Sequence, residues 1–395
     1  MSRERARKPR RICIVRQQTF YELPVRREAE AFRDAGYHVD VILMSGSDAP
    51  GVETVDGVTL HKIAGNRERG GIARYLWDYA RFLVLAGAHL TRLHLRRRYD
   101  VIQVNTMPDF LFLATLVPRL LGARITVFVK EPAPELGVTI YGTRRLSPLL
   151  EFFERAAIGY ADVVFTVTED LKALQVARGA RADKIHVVLN GPQGDNLLRA
   201  RRPDVGPDPD RFTLLIHGTI EDRYGHDTLV EGIAIARREV PELRLRISGT
   251  GTSVARIQEL IAELELEDAV EYLGWLSLED LVDELSAADV GVIAMKASPY
   301  SHVVHTNKMY EYILFGIPIL ASRLQSVSNY FDDSCIQYFE PDDPKSLAEG
   351  IVALRNDPER RRSVVWNARA LYDAKYGWDI QEEILVSATE AVLEP

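Results

Sequence analysis

His305-Thr306-Asn307-Lys308-Met309-Tyr310-Glu311-Tyr312-Ile313-Leu314-Phe315-Gly316-Ile317-Pro318-Ile319-Leu320-Ala321-Ser322 reads as a loop, a short helix, a tight glycine turn and a buried strand. Polar residues gather in the loop and at the helix start. Backbone N–H groups at such a start lack intrahelical partners and attract anions. Lys308 adds positive charge there. Glu311 follows one turn later, placed to accept hydrogen bonds from a sugar hydroxyl. An anion site beside a hydroxyl-binding carboxylate suits a nucleotide-sugar. A capped surface helix followed by a core strand reads the same residues without any ligand, and both readings stand at this point.

Outward from this stretch, short apolar runs alternate with amphipathic ones. Strands are expected at 12–15, 39–43, 101–104, 125–129, 163–168 and 185–189 in the first half, with helices such as 26–35 and 149–161 between them. The second half repeats the scheme, with strands at 212–216, 243–248, 270–273, 290–294 and 319–321. Its helices include 226–239, 253–264, 278–287 and 344–356. Nearly continuous β-branched runs separated by helices indicate parallel sheets covered on both faces. The expected fold is therefore α/β, with two tandem Rossmann-like, doubly wound domains facing a cleft. Domain boundaries are expected at 1–195 and 211–377. The linker between them, 196–210, lies in a stretch (193–210) rich in Arg, Pro, Gly and Asp.

Composition narrows the classes. The 395 residues are 46% hydrophobic and 27% charged, ordinary for two globular domains. A net charge of −8 argues against generic nucleic-acid binding. Cys13 and Cys335 stand in different halves, form no metal-spacing motif and are not expected to pair, which points to a reducing cytoplasm. The basic start (Arg3, Arg5, Arg7, Lys8, Arg10, Arg11) lacks the apolar run of a signal peptide, and no apolar stretch is long enough to span a bilayer. Residues 74–98 carry a helical apolar face (Tyr75, Leu76, Tyr79, Phe82, Leu83, Ala86, Leu90, Leu93) and end in arginines. That pattern fits a helix covering the core, or a basic face lying on anionic lipid.

Three further motifs bear on chemistry. In Ile216-His217-Gly218-Thr219-Ile220-Glu221-Asp222-Arg223-Tyr224-Gly225-His226-Asp227, Gly218 lets a phosphate approach the backbone and Arg223 is suited to grip a diphosphate. A plain turn with Asp227 capping a helix is the simpler alternative. Ser248-Gly249-Thr250-Gly251 lacks the third glycine of a dinucleotide fingerprint, because position 254 is Val. Either a strand-to-helix turn or close approach of a base or ribose explains Gly249. Lys130-Glu131-Pro132-Ala133-Pro134-Glu135 follows a buried strand, so Lys130 or Glu131 faces an acceptor hydroxyl or sits in a proline-stiffened loop. Asp208-Pro209-Asp210, Asp332-Asp333, Asp342-Asp343, His302 and His305 make no convincing metal set, and no metal is expected.

Taken in order, Gly218 through Asp227, Gly249–Gly251, Leu273-Gly274-Trp275-Leu276-Ser277, Ala288-Asp289-Val290-Gly291-Val292, and Asn307 through Tyr312 with Gly316-Ile317-Pro318 resemble the retaining GT-B glycosyltransferases of family 4. The resemblance covers most of residues 211–380. Pro24-Val25-Arg26-Arg27-Glu28-Ala29 and 185–191 agree with it in the first half. It implies that helix 378–395 packs back on the first domain and that the donor binds in the second. Glu311 falls on the second Glu of the family's Glu-x7-Glu motif, which holds ribose hydroxyls. Thr306 and Asn307 fall where amides meet the diphosphate. Arg223 lies near the family's phosphate-binding basic residue, whose strict place is Tyr224. Thr219 stands where an Arg is usual, and Val303 stands where the first Glu belongs. Lys308 is placed to offset the leaving charge. Lys130 replaces a frequent His, and Glu131 fits the acidic residue beside it.

The expectation is a metal-independent, retaining transfer with no cofactor beyond a nucleotide-diphosphate sugar (UDP or GDP) as co-substrate. Catalysis is expected from Glu131, Lys308 and Arg223. Donor binding is expected from Gly218, Thr219, Arg223, Gly249, Thr306, Asn307, Lys308 and Glu311, with Lys130 and Glu131 on the acceptor side. The acceptor is a glycan, a lipid-linked or a small molecule in cell-surface glycoconjugate synthesis. The protein is expected in the cytoplasm, with weak contact to the anionic inner face of the plasma membrane. A nucleotide-sugar epimerase of the same fold and a non-catalytic nucleotide-sugar binder are the alternatives, with a nicotinamide dehydrogenase further off.

Overall fold

The computed structural model describes residues 9–18, 23–46, 49–65, 72–191, 208 and 210–394. Arg3, Arg5, Arg7, Lys8 and nearly all of the expected linker lie outside this set, as do the side chains of Tyr75 and Leu76. The chain divides into two compact units, Met1–Leu189 with Asp379–Pro395, and Asn190–Trp378.

The first unit runs β1 (Arg11–Val15), α1 (Leu23–Asp34), β2 (His38–Met44), β3 (Gly51–Val55), β4 (Val58–Ile63), α2 (Ile72–Arg97), β5 (Val101–Asn105), a 3₁₀ segment (Asp109–Thr115), α3 (Leu116–Leu120), β6 (Arg124–Val129), α4 (Ala133–Tyr141), α5 (Ser147–Tyr160), β7 (Val163–Thr166), α6 (Glu169–Ala177) and β8 (Ile185–Val187). The sheet order is β3-β4-β2-β1-β5-β6-β7-β8. Every pairing is parallel except the β3–β4 hairpin. In α2, Phe82, Ala86, Leu90 and Leu93 are buried in the core, so this face covers the sheet. The apolar runs marked out the central strands, but β3, β4 and α4 were not expected. The proline stretch at 132–135 is not a loop. Pro132 is the N-cap of α4 and Pro134 lies in its first turn, where no backbone N–H is needed.

The second unit runs β9 (Phe212–Thr219), α7 (His226–Ala236), β10 (Leu243–Thr250), α8 (Val254–Glu263), β11 (Val270–Gly274), α9 (Leu278–Ala287), β12 (Val290–Ile293), α10 (Lys308–Phe315), β13 (Ile319–Ser322), α11 (Gln325–Ser328), β14 (Gln337–Phe339), α12 (Pro344–Asn356) and α13 (Pro358–Leu371). Its six strands are all parallel, in the order β11-β10-β9-β12-β13-β14. Sheet growth reverses between β9 and β12, and a doubly wound sheet opens a crevice at such a switch point. The last helix, α14 (Trp378–Ala391), belongs to the first unit from Asp379 onward. There Gln381 accepts from the Leu189 N–H at 2.8 Å.

The reading of α10 as a surface helix is overturned, because every residue from Lys308 to Phe315 is buried. Tyr312 anchors it. Its hydroxyl donates to the Leu215 carbonyl at 3.0 Å, and its ring lies where a Cβ on Gly291 of β12 would sit, 2.4 Å away. Gly316 ends the helix in the left-handed region at φ +69°. This packing fixes the first turn of α10 beside the end of β9.

Candidate functional site

Four segments of the second unit meet at the switch point: the end of β9, the loop 220–225, the start of α7 and the start of α10. Lys308 and Glu311 are both buried. The Lys308 side chain crosses Gly218, where a Cβ would stand 2.9 Å from its Cε. Its Nζ reaches 4.7 Å from the centre of the Tyr224 ring, and the Arg223 guanidinium lies 4.9 Å from the same ring. Two cations thus flank one aromatic ring, each gaining from its negative face. Burial pushes the Lys308 ammonium down to about 8, against the pull of Glu311 and with a push from Arg223.

Two histidines complete the cluster. His217, the last residue before Gly218, places Nε2 3.2 Å from Glu311 Oε2 and sets its ring edge-on to Tyr312. His226, the first residue of α7, is buried, and neither ring nitrogen has a hydrogen-bond partner among the described residues. Burial, with the Lys308 charge nearby, brings both imidazoles down to about 3, so both are neutral near pH 7.

The loop carrying Arg223 is tied down. Lys296 Nζ bridges Asp222 and Asp227, at 2.7 Å to each. The Lys296 N–H donates to the Arg223 carbonyl at 3.0 Å, and Glu221 accepts from the Thr252 N–H at 3.1 Å. At the start of α10, Thr306 accepts from the Lys308 N–H at 3.2 Å. The Asn307 side chain makes no capping bond, and its buried oxygen has no partner among the described residues.

Three expectations are corrected. Gly249 does not make room for a base or ribose. Its Cβ would fall 1.6 Å from the Gly218 carbonyl oxygen, so the glycine serves the approach of β10 to β9. The space at Gly218 is filled by Lys308. In the first unit, Lys130 does not face an open surface. It is buried, paired with Glu28 and 4.2 Å from the centre of the Phe128 ring. Gln103 and Asn105 donate to the same Glu28, each at 2.6 Å. Burial brings the Lys130 ammonium to about 8 in spite of Glu28. Glu131 is half-buried, and Thr219 is exposed at the end of β9.

Sequence reasoning passed over His217, His226 and Lys296. The available signal was a histidine closing an otherwise apolar strand, Leu214-Leu215-Ile216-His217. Among the described residues, no group of three or more His, Cys, Asp or Glu side chains is arranged to hold a metal. His305 instead packs in the core, 2.9 Å from the Tyr310 hydroxyl. Asp343 caps α12 by accepting from the Lys345 and Ser346 N–H groups.

Residues 23–191 match the family described as glycosyl transferase 4-like domain, and residues 199–371 match glycosyl transferases group 1. The chain is 26% identical over 391 residues to a D-inositol 3-phosphate glycosyltransferase of Pseudarthrobacter chlorophenolicus, covering 94% of this chain and 90% of the relative. Its fold is that of a sucrose-phosphate synthase from Thermosynechococcus elongatus, at 19% identity and TM-score 0.76 over 97% of this chain and 99% of that one. HepE from Anabaena, solved with UDP and glucose, gives TM-score 0.71 at 15% identity, over 96% and 99% of the two chains.

Proposed function

Because this chain belongs to the GT-B glycosyltransferases, with a glycosyl transferase 4-like first half and a group 1 second half, we propose that it is a metal-independent, retaining enzyme. It moves a sugar from a nucleotide-diphosphate sugar to an acceptor hydroxyl in glycoconjugate synthesis. The observation that carries this reading is the buried Lys308 beside Arg223, held at a sheet switch point one helical turn from Glu311. Negative charge grows on the diphosphate as the glycosidic bond breaks, and preorganised donors stabilise it. Lys308, Arg223 and the amides of Thr306 and Asn307 supply them. Glu311 accepts from the ribose hydroxyls. The leaving phosphate itself takes the acceptor proton, so no side-chain base is required. Glu131 is the acceptor-side candidate, since Lys130 is committed to Glu28. The complex of HepE with UDP and the phosphorylated product or substrate named for two relatives support a nucleotide donor and a polar acceptor.

The test is a thermal-shift screen over UDP-, GDP-, ADP- and TDP-sugars, followed by transfer assays with the ligand that stabilises most. Stabilisation by one donor and transfer to an acceptor are expected. Glu311→Gln that binds and turns over donor like the parent overturns the site. Turnover of donor alone to an isomer points to an epimerase, and tight binding without turnover on a broad acceptor panel points to a binder lacking the carboxylate that Val303 replaces.

We also propose a peripheral, cytoplasmic-face membrane contact. No helix is long and apolar enough to cross a bilayer among the described residues. The helical layer of the first unit leaves Trp77, Val84, Leu116, Leu120, Leu149 and Phe152 exposed. Arg81, Arg92, Arg144, Arg145 and Arg155 are exposed on the same helices and the turn joining α4 to α5. In α2 five arginines stand against one aspartate, although the whole chain carries −8. Exposed apolar groups ringed by arginine suit an anionic bilayer. Flotation with vesicles containing phosphatidylglycerol, and none with neutral vesicles, is expected. Equal behaviour with both removes the idea.

A further inference from the structure

We propose that Tyr224 is a positioning residue: its ring gathers Lys308 and Arg223 at the place the donor's diphosphate will take, standing in for the anion before it arrives. This rests on Lys308 and Arg223 as the diphosphate-binding cations. Lys308 Nζ lies 4.7 Å from the ring centre and the Arg223 guanidinium 4.9 Å. Among the described residues, neither cationic group makes a hydrogen bond or an ion pair, and Arg223 Nε is buried without a partner. Lys308 is buried and Arg223 half-buried. A cation withdrawn from water without an acceptor is costly, and the two also repel, since Arg223 pushes the Lys308 ammonium toward its neutral form. The negative face of one aromatic ring is what both meet instead.

The root of the ring is fixed. The Tyr224 N–H donates to the Glu221 carbonyl at 2.9 Å, and the Arg223 carbonyl accepts from the Lys296 N–H at 3.0 Å. Gly225 follows at φ +64°, pressed against the Ala294 carbonyl oxygen, where a Cβ would stand 1.9 Å away. The chemistry of a ring suits the task. A carboxylate set between Lys308 and Arg223 would hold them more firmly, but it would repel the incoming diphosphate and occupy the N–H groups that must bind it. A ring face attracts both cations and leaves those hydrogens for phosphate oxygens. The donors are then in place before the leaving charge develops, which is the condition for stabilising it without reorganisation.

The experiment uses the full chain and whichever of UDP, GDP, ADP or TDP raises the melting temperature most. Calorimetry compares this diphosphate with its monophosphate on the parent, Tyr224→Phe, Lys308→Met and a chain with 3,4,5-trifluorophenylalanine at position 224. Fluorine keeps the shape of the ring and removes its negative face. Tyr224→Phe is expected to bind the diphosphate like the parent, and the trifluoro ring to weaken it about ten-fold. The monophosphate is expected to stay within about three-fold throughout. The pH above which diphosphate binding weakens should fall by about one unit with the trifluoro ring, because the ring face favours charged Lys308. The other titratable groups around Lys308 are Glu311, Arg223, His217 and His226, and all are unchanged in these variants. If the trifluoro ring binds diphosphate as Phe does, Tyr224 only fills space. If Phe weakens binding as much as the trifluoro ring, the hydroxyl and not the face is at work, and equal weakening of both nucleotides likewise overturns the proposal. If Lys308→Met binds diphosphate like the parent, the donor-site reading fails and this inference falls with it. Weakening in Lys308→Met without weakening by the trifluoro ring removes the inference alone.

Discussion

Replacing Lys308 with Met should move stability and binding in opposite directions. Lys308 is 8% exposed, and the pKa of its ammonium falls from 10.5 to about 8. A shift of that size means burial disfavours the charged form by about 3 kcal/mol, at 1.36 kcal/mol per unit. Methionine has a similar stem, fills irregular space and carries no charge to desolvate. The variant should therefore melt at or above the parent's temperature near pH 7. Binding should suffer, because a charge-assisted hydrogen bond to phosphate is worth about 1.5–3 kcal/mol. The nucleotide Kd should rise between about ten-fold and somewhat above a hundred-fold. The pH dependence follows with a definite sign. Below pH 8 free Lys308 is protonated and ready, whereas above it the free protein must take up a proton to bind. Between pH 7 and 9 the parent's Kd should weaken about ten-fold, one protonation per unit, and Lys308→Met should show no such slope. Calorimetry at both pH values with parallel melting curves measures all three quantities. A variant that melts lower than the parent and binds nucleotide as tightly would show that Lys308 is a structural cation, and the donor site would have to lie elsewhere.

Gly249→Ala should abolish soluble expression or cost more than about 4 kcal/mol, since its Cβ would overlap the Gly218 carbonyl and φ is +139°; a melting temperature within 5 °C of the parent refutes this. The second unit should be acid-sensitive. His217 and His226 are held at about 3 and His305 at about 4, against about 6.5 when unfolded. Between those values the unfolded chain binds more protons, so stability is full above pH 6.5 and falls as pH drops. The slope approaches about 4 kcal/mol per unit for three protons. Urea midpoints at pH 7 and pH 5 test it, and His305→Gln should remove about a third of the slope. Lys130→Met should cost about 3–5 kcal/mol by leaving Glu28 buried without the cation it is ion-paired to, whereas Glu131→Gln should lower turnover far more than it lowers the urea midpoint. The reverse pattern would return Lys130 to the acceptor side.

Much of the fold was legible because parallel strands buried on both faces are written as apolar runs. The strands β1, β5, β6, β9 and β12 were found for that reason. The β3–β4 hairpin was missed because its edge strand is Gly51-Val52-Glu53-Thr54-Val55, exposed along nearly its whole length, so burial never selected apolar residues there. Its turn was nevertheless marked: Asp56-Gly57 both have positive φ, the conformation that suits this dipeptide between two antiparallel strands. β14 has three residues, too few to show a period.

At the site, legibility followed backbone spacing and failed where side chains chose a direction. Lys308 and Glu311 are three residues apart, so any helix puts them on adjoining positions of one face, and the pairing could be read from sequence. Nothing in the spacing says that Lys308 folds back over Gly218 to Tyr224, because that path depends on the ring and on the missing Cβ together. The glycines show the same division. A glycine at a strand end signals that something approaches the backbone closely. At Gly249 the approaching group is the neighbouring strand's carbonyl, and at Gly218 it is a lysine stem. The sequence could not separate these from a ligand, since each makes the same demand for an absent side chain. His217 poses the converse problem. One polar residue at the end of an apolar strand looks like the point where burial stops, yet it is 6% exposed. Only its burial and the edge-on packing of its ring against Tyr312 distinguish it from a strand that has simply run out.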